Sequence, residues 1–127
     1  LGFYVSSGQR MRLDGAGNVF ANGNFYPSDI RKKTDIEQIT GVLDDIDDLR
    51  GVFFNWKDEN DGKDGQIGLI AQEVEAVYPE LVLEDEEGYK NVEYSKMTAI
   101  LLEAVKELKV ENESLKVRLN VLEQSVK

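Results

Sequence analysis

One short segment of the sequence gathers side chains that could carry out acyl transfer. Ser28 supplies a hydroxyl, and Lys33 follows five residues later. Between them lie one carboxylate and two further cations, on Asp29, Arg31 and Lys32. The sequence has no His and no Cys, so the commonest base for a serine and the thiolate alternative are both missing. A lysine amine can take the serine proton in its neutral form, which burial or neighbouring cations favour. The segment is therefore a candidate Ser-Lys reaction centre.

The same segment also suits a purely structural role. A polar turn in front of a capped helix commonly carries a serine, an aspartate and several cations. Thr34 and Glu37 have the spacing of a capping box, and apolar residues recur from Ile36 to Leu49 at helical intervals. This pattern predicts a helix over residues 34–50. Spacing alone leaves the reaction centre and the structural turn both open.

Composition narrows the classes of function. The chain has 127 residues, a size typical of one domain, and a net charge of -10 at pH 7. Proteins that bind nucleic acids or anionic membranes usually carry an excess of Lys and Arg. Because this chain has an acidic excess, neither is expected as a partner. No cofactor and no metal is expected either. The acidic loop 58–64 resembles a calcium loop, but Gly68 stands where the bidentate glutamate would be required.

The elements that must position the segment differ along the chain. Residues 1–27 combine short apolar runs with Gly and Asn turns, which is typical of hairpins or of a repetitive β stem too small to bury a core alone. Residues 52–56 and 66–70 predict two strands, residues 71–77 a short helix, and residues 81–94 a hairpin. The chain begins with leucine rather than methionine, and we expect it to be part of a longer polypeptide.

The last third of the sequence has the most regular pattern. Leucines recur every seven residues, and a second heptad position follows each of them by four residues. This a/d repeat predicts a coiled-coil helix over about residues 95–126. The predicted seam consists of Leu101, Val105, Leu108, Asn112, Leu115, Leu119, Leu122 and Val126. An amphipathic helix lying on its own domain is the alternative. The repeat does not fix the number of chains, because a single Asn at an a position suits dimers and also occurs in trimers.

Three ordered motifs resemble the endosialidase-type C-terminal chaperone domain of phage tail spikes and neck appendages. The first is Ser-Asp-Ile-Arg-Lys-Lys at residues 28–33. The second runs from Ile67 through Gly-Leu-Ile-Ala-Gln-Glu-Val and on to Val82. The third is Val-Glu-Tyr-Ser-Lys at residues 92–96, which leads into the long C-terminal helix. The resemblance extends from residue 28 to the end of the chain.

The resemblance implies an α+β fold and a homotrimer. Residues 1–27 would be the end of the parent β stem, and residues 28–127 the chaperone domain, with a small mixed α/β core and a coiled-coil helix. Such a domain trimerises, templates folding of the β stem of its own polypeptide, and then releases itself by autoproteolysis. The resemblance assigns Ser28 as the nucleophile and Lys33 as its general base, and it makes Asp29 and Arg31 supporting residues.

The implied enzyme is a single-turnover serine endopeptidase that acts in cis at Ser28, between Pro27 and Asp29. A serine can attack the preceding carbonyl through a five-membered ring, whereas attack on its own carbonyl requires a strained four-membered ring. This geometry favours cleavage between Pro27 and Ser28. The motif leaves the side open, and a cut between Ser28 and Asp29 would use water or a neighbouring chain. The resemblance also implies virion assembly in the host cytoplasm and loss of the chaperone piece from the mature virion. The alternative function is a non-cleaving trimerisation or attachment module at a fibre tip.

Overall fold

Three short strands come first in the chain. The structure is a computed structural model that describes residues 2–5, 8–13, 15, 19–21, 28–58, 60–62 and 65–127. The strands are β1 (Gly2–Val5), β2 (Gly8–Leu13) and β3 (Val19–Ala21). They pair in that order as an antiparallel sheet. The β character predicted for this part of the chain is therefore present.

Short strands and helices then alternate up to residue 93. They are a 3-10 turn (Ile30–Lys32), α1 (Val42–Ile46), β4 (Val52–Phe54), β5 (Gln66–Gly68), α2 (Ala71–Val77), a second 3-10 turn (Pro79–Leu81), β6 (Val82–Glu84) and β7 (Lys90–Val92). β4 pairs with β5, and β6 pairs with β7, both antiparallel. The predicted strands, the short helix and the second hairpin are confirmed. α2 ends where Pro79 opens the next turn, as expected for a residue that cannot continue the helix.

The helix predicted over residues 34–50 is wrong over most of its length. Only Val42–Ile46 is helical, and Thr34 caps nothing. Asp35 has a φ of 51°, in the left-handed region that a right-handed helix cannot contain. Gly41, also left-handed at φ 74°, begins the short helix instead. Ile36 is exposed, so the apolar periodicity that suggested a longer helix does not correspond to one buried face.

The long C-terminal helix, α3 (Tyr94–Ser125), supplies half of the buried core. It has 32 residues and therefore a length of about 48 Å. Six apolar residues of the described chain are buried: Val42, Val74, Leu81, Met97, Ile100 and Ala104. The predicted helix is confirmed, and the fold is α+β with small sheets. No helix within the described ranges is long and apolar enough to cross a bilayer.

The heptad face of α3 is not the face that packs on the domain. Met97, Ile100 and Ala104 face the core and are at most 8% exposed. The apolar heptad residues, in contrast, are 51% to 86% exposed. The alternative of an apolar face lying on its own domain therefore fails for the heptad residues. The coiled coil itself remains a prediction, because it requires further chains.

Candidate functional site

A tight turn brings Ser28 and Lys33 together. Nζ of Lys33 donates a hydrogen bond to Oγ of Ser28 over 2.9 Å. The residues between them form the first 3-10 turn, in which the Lys33 N–H donates to the Ile30 carbonyl at 3.1 Å. A 3-10 helix completes one turn in three residues, so this turn folds the chain back and lets two side chains five positions apart meet.

Asp29 shapes that turn. Its side chain caps the turn by accepting a 2.9 Å hydrogen bond from the backbone N–H of Arg31. The Arg31 guanidinium also forks onto the carboxylate, with Nε 3.1 Å from Oδ1 and Nη2 2.8 Å from Oδ2. The side-chain hydrogen bond from Arg31, helped by the backbone one, holds the pKa of Asp29 below its usual value. Asp29 and Arg31 thus stabilise the backbone that joins the two candidate reacting residues.

The turn lies on the surface of the single chain. Ser28, Lys33 and every residue between them are exposed. Water therefore has access to both the amine and the hydroxyl. The contact has the geometry of a nucleophile and its base, but the exposed turn lacks the dry surroundings that such a base requires. Pro27, the other half of the predicted scissile bond, lies outside the described residues.

The second and third sequence motifs meet at Gly68. The Tyr94 hydroxyl, at the start of α3, accepts a 2.8 Å hydrogen bond from the backbone N–H of Leu69. A Cβ at Gly68 would lie 2.7 Å from that hydroxyl and 3.3 Å from Cε1 of Phe54. A side chain at Gly68 would therefore force the tyrosine, which passes close over the backbone, to shift. This contact fastens the β4–β5 hairpin to the first turn of α3.

Tyr78 and Asp45 join α2 to α1. The Tyr78 hydroxyl donates to Oδ2 of Asp45 over 2.9 Å. Burial, followed by the bond to this carboxylate, raises the pKa of Tyr78 to about 12. The acidic stretch around Asp45 suggests a solvated face, but this aspartate is half-buried and has a tyrosine partner. Arg50 makes a comparable link to Glu73, with Nε 3.0 Å from Oε1.

The side chain of Glu107, in α3, caps the N-terminal end of α1. Its Oε1 accepts hydrogen bonds from the backbone N–H groups of Gly41 at 2.7 Å and Val42 at 3.1 Å. Its Oε2 accepts one from Leu43 at 3.0 Å. The backbone N–H groups of Leu43 and Val42 lower the pKa of this carboxyl most, despite the opposing effect of burial. We call this set of three bonds the Glu107 clamp.

The Glu107 clamp is what the sequence patterns missed. A helix start leaves N–H groups without partners inside the helix, and a nearby Thr or Asp usually satisfies them. Here the acceptor comes from a residue more than 60 positions away. The only local sign was the weak start of the helix itself, with Gly41 and no capping side chain of its own.

The described residues offer no metal centre. Nowhere in the described ranges do three or more Asp or Glu side chains gather closely enough to hold an ion. The one carboxylate within the turn, that of Asp29, is engaged by the guanidinium and the backbone N–H of Arg31. At the turn itself, the contact that the structure shows is that of a hydroxyl beside an amine.

Comparison with known proteins gives two findings. Residues 28–83 match a family model described as the chaperone of endosialidase, whose family name also contains the word peptidase. The match begins at the serine of the Ser28–Lys33 pair. The chain is also similar to long tail fiber proteins Gp37: 32% identical over 108 residues in Enterobacteria phage K3, and 31% over 135 residues in Salmonella phage S16.

These relatives are much longer than the chain. The K3 alignment covers 80% of this chain but 9% of that protein. The S16 alignment covers 99% of this chain and 18% of that protein. The family identified from the three sequence motifs is confirmed, and over residues 28–83 this chain carries a chaperone-of-endosialidase domain.

Proposed function

We propose that this chain is the intramolecular chaperone of a phage tail fibre, which assembles three copies of the fibre and then releases itself by cleavage at Ser28. The family match and the tail-fibre relatives support the chaperone role. The observation that carries the cleavage is the 2.9 Å contact between the Lys33 amine and the Ser28 hydroxyl at the first residue of the family match.

Assembly would use the heptad face of α3. Its leucines and valines are exposed in the single chain, although burying such a side chain is worth about 1.5–3 kcal/mol. Three copies that buried this face in a coiled coil would gain that free energy at each layer. Joining the chains at one end raises the local concentration of the preceding fibre segments, which lowers the entropic cost of starting interchain β structure.

Cleavage would proceed by acyl transfer within the chain. The neutral Lys33 amine takes the hydroxyl proton as Oγ of Ser28 adds to the carbonyl carbon of Pro27. The amide nitrogen of Ser28 then leaves with a proton, and the Pro27 acyl group is held as an ester on Oγ. Water hydrolyses this ester to a carboxyl group on Pro27 and restores the serine hydroxyl. Ser28 becomes the new amino terminus of the released piece.

The exposure of the turn suggests why cleavage would follow assembly. A lysine acts as a base through its neutral form, which dry surroundings favour. A neighbouring copy or the folded fibre segment would cover the turn and provide those surroundings. Release of the chaperone after folding would leave the fibre kinetically trapped, because its template is gone. The released piece would then be absent from the mature virion.

The test is to express the chain with the fibre segment that precedes it, as wild type, Ser28→Ala and Lys33→Ala. We expect the wild type to yield two fragments whose masses meet at Ser28, and both variants to stay intact as trimers. Fragment masses also show on which side of Ser28 the chain is cut. Cleavage of Ser28→Ala at the same place would refute the proposal. An intact wild-type trimer would instead support the non-cleaving trimerisation or attachment module.

A further inference from the structure

The segment that follows Lys33 reaches α3 without forming a helix of its own. Residues 34–41 contain neither helix nor strand, so no regular hydrogen bonding holds them in place. The segment is instead attached at its far end. Nε2 of Gln38 donates to Oε2 of Glu103 at 3.3 Å, half-buried Ile39 packs against the core, and the Glu107 clamp holds Gly41 and the two residues after it.

The Glu107 clamp is the strongest of these attachments. It contributes three hydrogen bonds to a charged acceptor, a kind stronger than bonds between neutral groups, whereas Gln38 makes one long bond at the surface. Gly41, the first residue that the clamp holds, lies eight residues after Lys33 along the chain. The turn fixes the distance between Ser28 and Lys33 locally, but every residue of the turn is exposed. The place of the turn on the domain therefore depends on where the segment after it is anchored.

Glu107 also lies next to the heptad face without belonging to it. It precedes Leu108 of the heptad series, yet its carboxylate points to α1, on the side of the buried Ala104. One helix thus carries the assembly surface and, on an adjacent side, the anchor of the cleavage segment. Removing the carboxylate should leave the heptad residues unchanged.

We propose that Glu107 is a positioning residue for the cleavage at Ser28, holding the segment that carries the Ser28–Lys33 pair in a fixed place relative to the helix that assembles the trimer. Glu107 does not touch the reacting atoms. It acts through Gly41, Val42 and Leu43, and it determines where the pair lies when neighbouring copies cover it. This inference rests on the proposed function.

The test measures cleavage and assembly separately in the chain that carries its preceding fibre segment. Glu107→Ala removes the acceptor, and Glu107→Gln keeps one carbonyl oxygen. Glu113→Gln is the matched control, because Glu113 is on the same helix and pairs with Lys116 within it. We expect all three variants to remain trimeric by native mass spectrometry. Cleavage should slow by at least about tenfold in Glu107→Ala, because small misplacements of reacting groups are costly. Glu107→Gln should recover part of the rate, and Glu113→Gln should match the wild type.

Hydrogen exchange in the uncut Ser28→Ala background separates positioning from general destabilisation. With Glu107→Gln we expect faster exchange over residues 34–43 and unchanged exchange over β4, β5 and the core turns of α3. A wild-type cleavage rate in Glu107→Ala, loss of the trimer in Glu107→Gln, or faster exchange over the whole domain would each overturn the inference. A wild type that stays uncut would instead contradict the proposed cleavage function. Failure of the Glu107 inference and failure of the proposed function are therefore distinguishable.

Discussion

The two halves of α3 have the same secondary structure and nearly opposite surroundings. In the first half, residues 94–107, Met97, Ile100 and Ala104 are buried and Glu107 clamps α1. In the second half, residues 108–125, every residue is exposed. Its leucines nevertheless continue the repeat that begins at Leu101.

The difference matches a division of the helix into a packing face and, under the proposed function, an assembly face. Its first half completes a small core that α1, α2 and the hairpins cannot close by themselves. Its second half extends for about 27 Å with an apolar stripe that a single chain leaves in water. Most helical stability in proteins comes from packing of an apolar face, and the proposed assembly would supply that packing for the second half. Four variants or sets of variants test this difference between the two halves of α3, from the largest expected effect to the smallest.

The largest effect is expected from charges on the heptad face of the second half. The double variant Leu115→Asp with Leu122→Asp removes two leucines per chain that the proposed seam would bury. Burial of each contributes about 1.5–3 kcal/mol to association. Association should therefore weaken by at least about 100-fold. Light scattering across a dilution series measures it. Val117→Asp is the control, because Val117 is exposed on the opposite side of the helix. Equal masses for the leucine variant and the wild type would contradict the assembly role.

The next effect concerns the buried face of the first half. Ile100 is 5% exposed, and replacing a buried isoleucine by alanine typically costs about 2–5 kcal/mol of unfolding free energy. We expect Ile100→Ala to lower the stability of the domain by this amount, measured by urea denaturation at fixed chain concentration. Leu101→Ala, one residue further on the heptad face, should act mainly through association, so its cost should depend on concentration. If the loss of stability depended on concentration equally in both variants, the proposed difference between the packing face and the heptad face would be contradicted.

A smaller effect should appear where α3 begins. Gly68→Ala places a methyl group 2.7 Å from the Tyr94 hydroxyl, and such overpacking costs about 1–3 kcal/mol of unfolding free energy. Tyr94→Phe removes the clashing oxygen, so the double variant should be more stable than the sum of the two single changes predicts. Gly51→Ala is the control, because a Cβ there has nothing within 4 Å. Additive changes in a double-mutant cycle would exclude the close contact.

The smallest effect is the pH dependence that the Glu107 clamp introduces. Backbone N–H groups of Leu43, Val42 and Gly41 hold the pKa of Glu107 below its usual value in the folded chain. A carboxyl with a depressed folded pKa stabilises the fold above its unfolded pKa, and this stabilisation is lost as the pH falls through the folded value. Urea midpoints from pH 7 to pH 3 should therefore fall less steeply in Glu107→Gln than in the wild type. Glu113→Gln should follow the wild type, and a wild-type slope in Glu107→Gln would contradict the clamp.

The parts of the fold that the sequence predicted are those with local causes. The hairpins, α2 and α3 follow from apolar periodicity and from breakers such as Pro79, and the structure confirms them. The approach of Ser28 to Lys33 is equally local, because one 3-10 turn produces it. Their catalytic roles stay a prediction. The helix proposed over residues 34–50 failed because its periodicity matched a helix while Asp35 and Gly41 adopt left-handed backbone.

By itself, the sequence determined the family through its motifs, the candidate chemistry through a serine and a lysine in a chain without histidine, and a 32-residue helix through its repeat. The tertiary structure decided which face of that helix is used for packing. Both faces are apolar, and only the position of α1 and α2 leaves Leu108 in solvent and Ile100 in the core. It also decided that Glu107 caps a helix more than 60 residues away. Local patterns cannot report such a contact, because the N–H groups at a helix start donate to any acceptor that the fold brings to them.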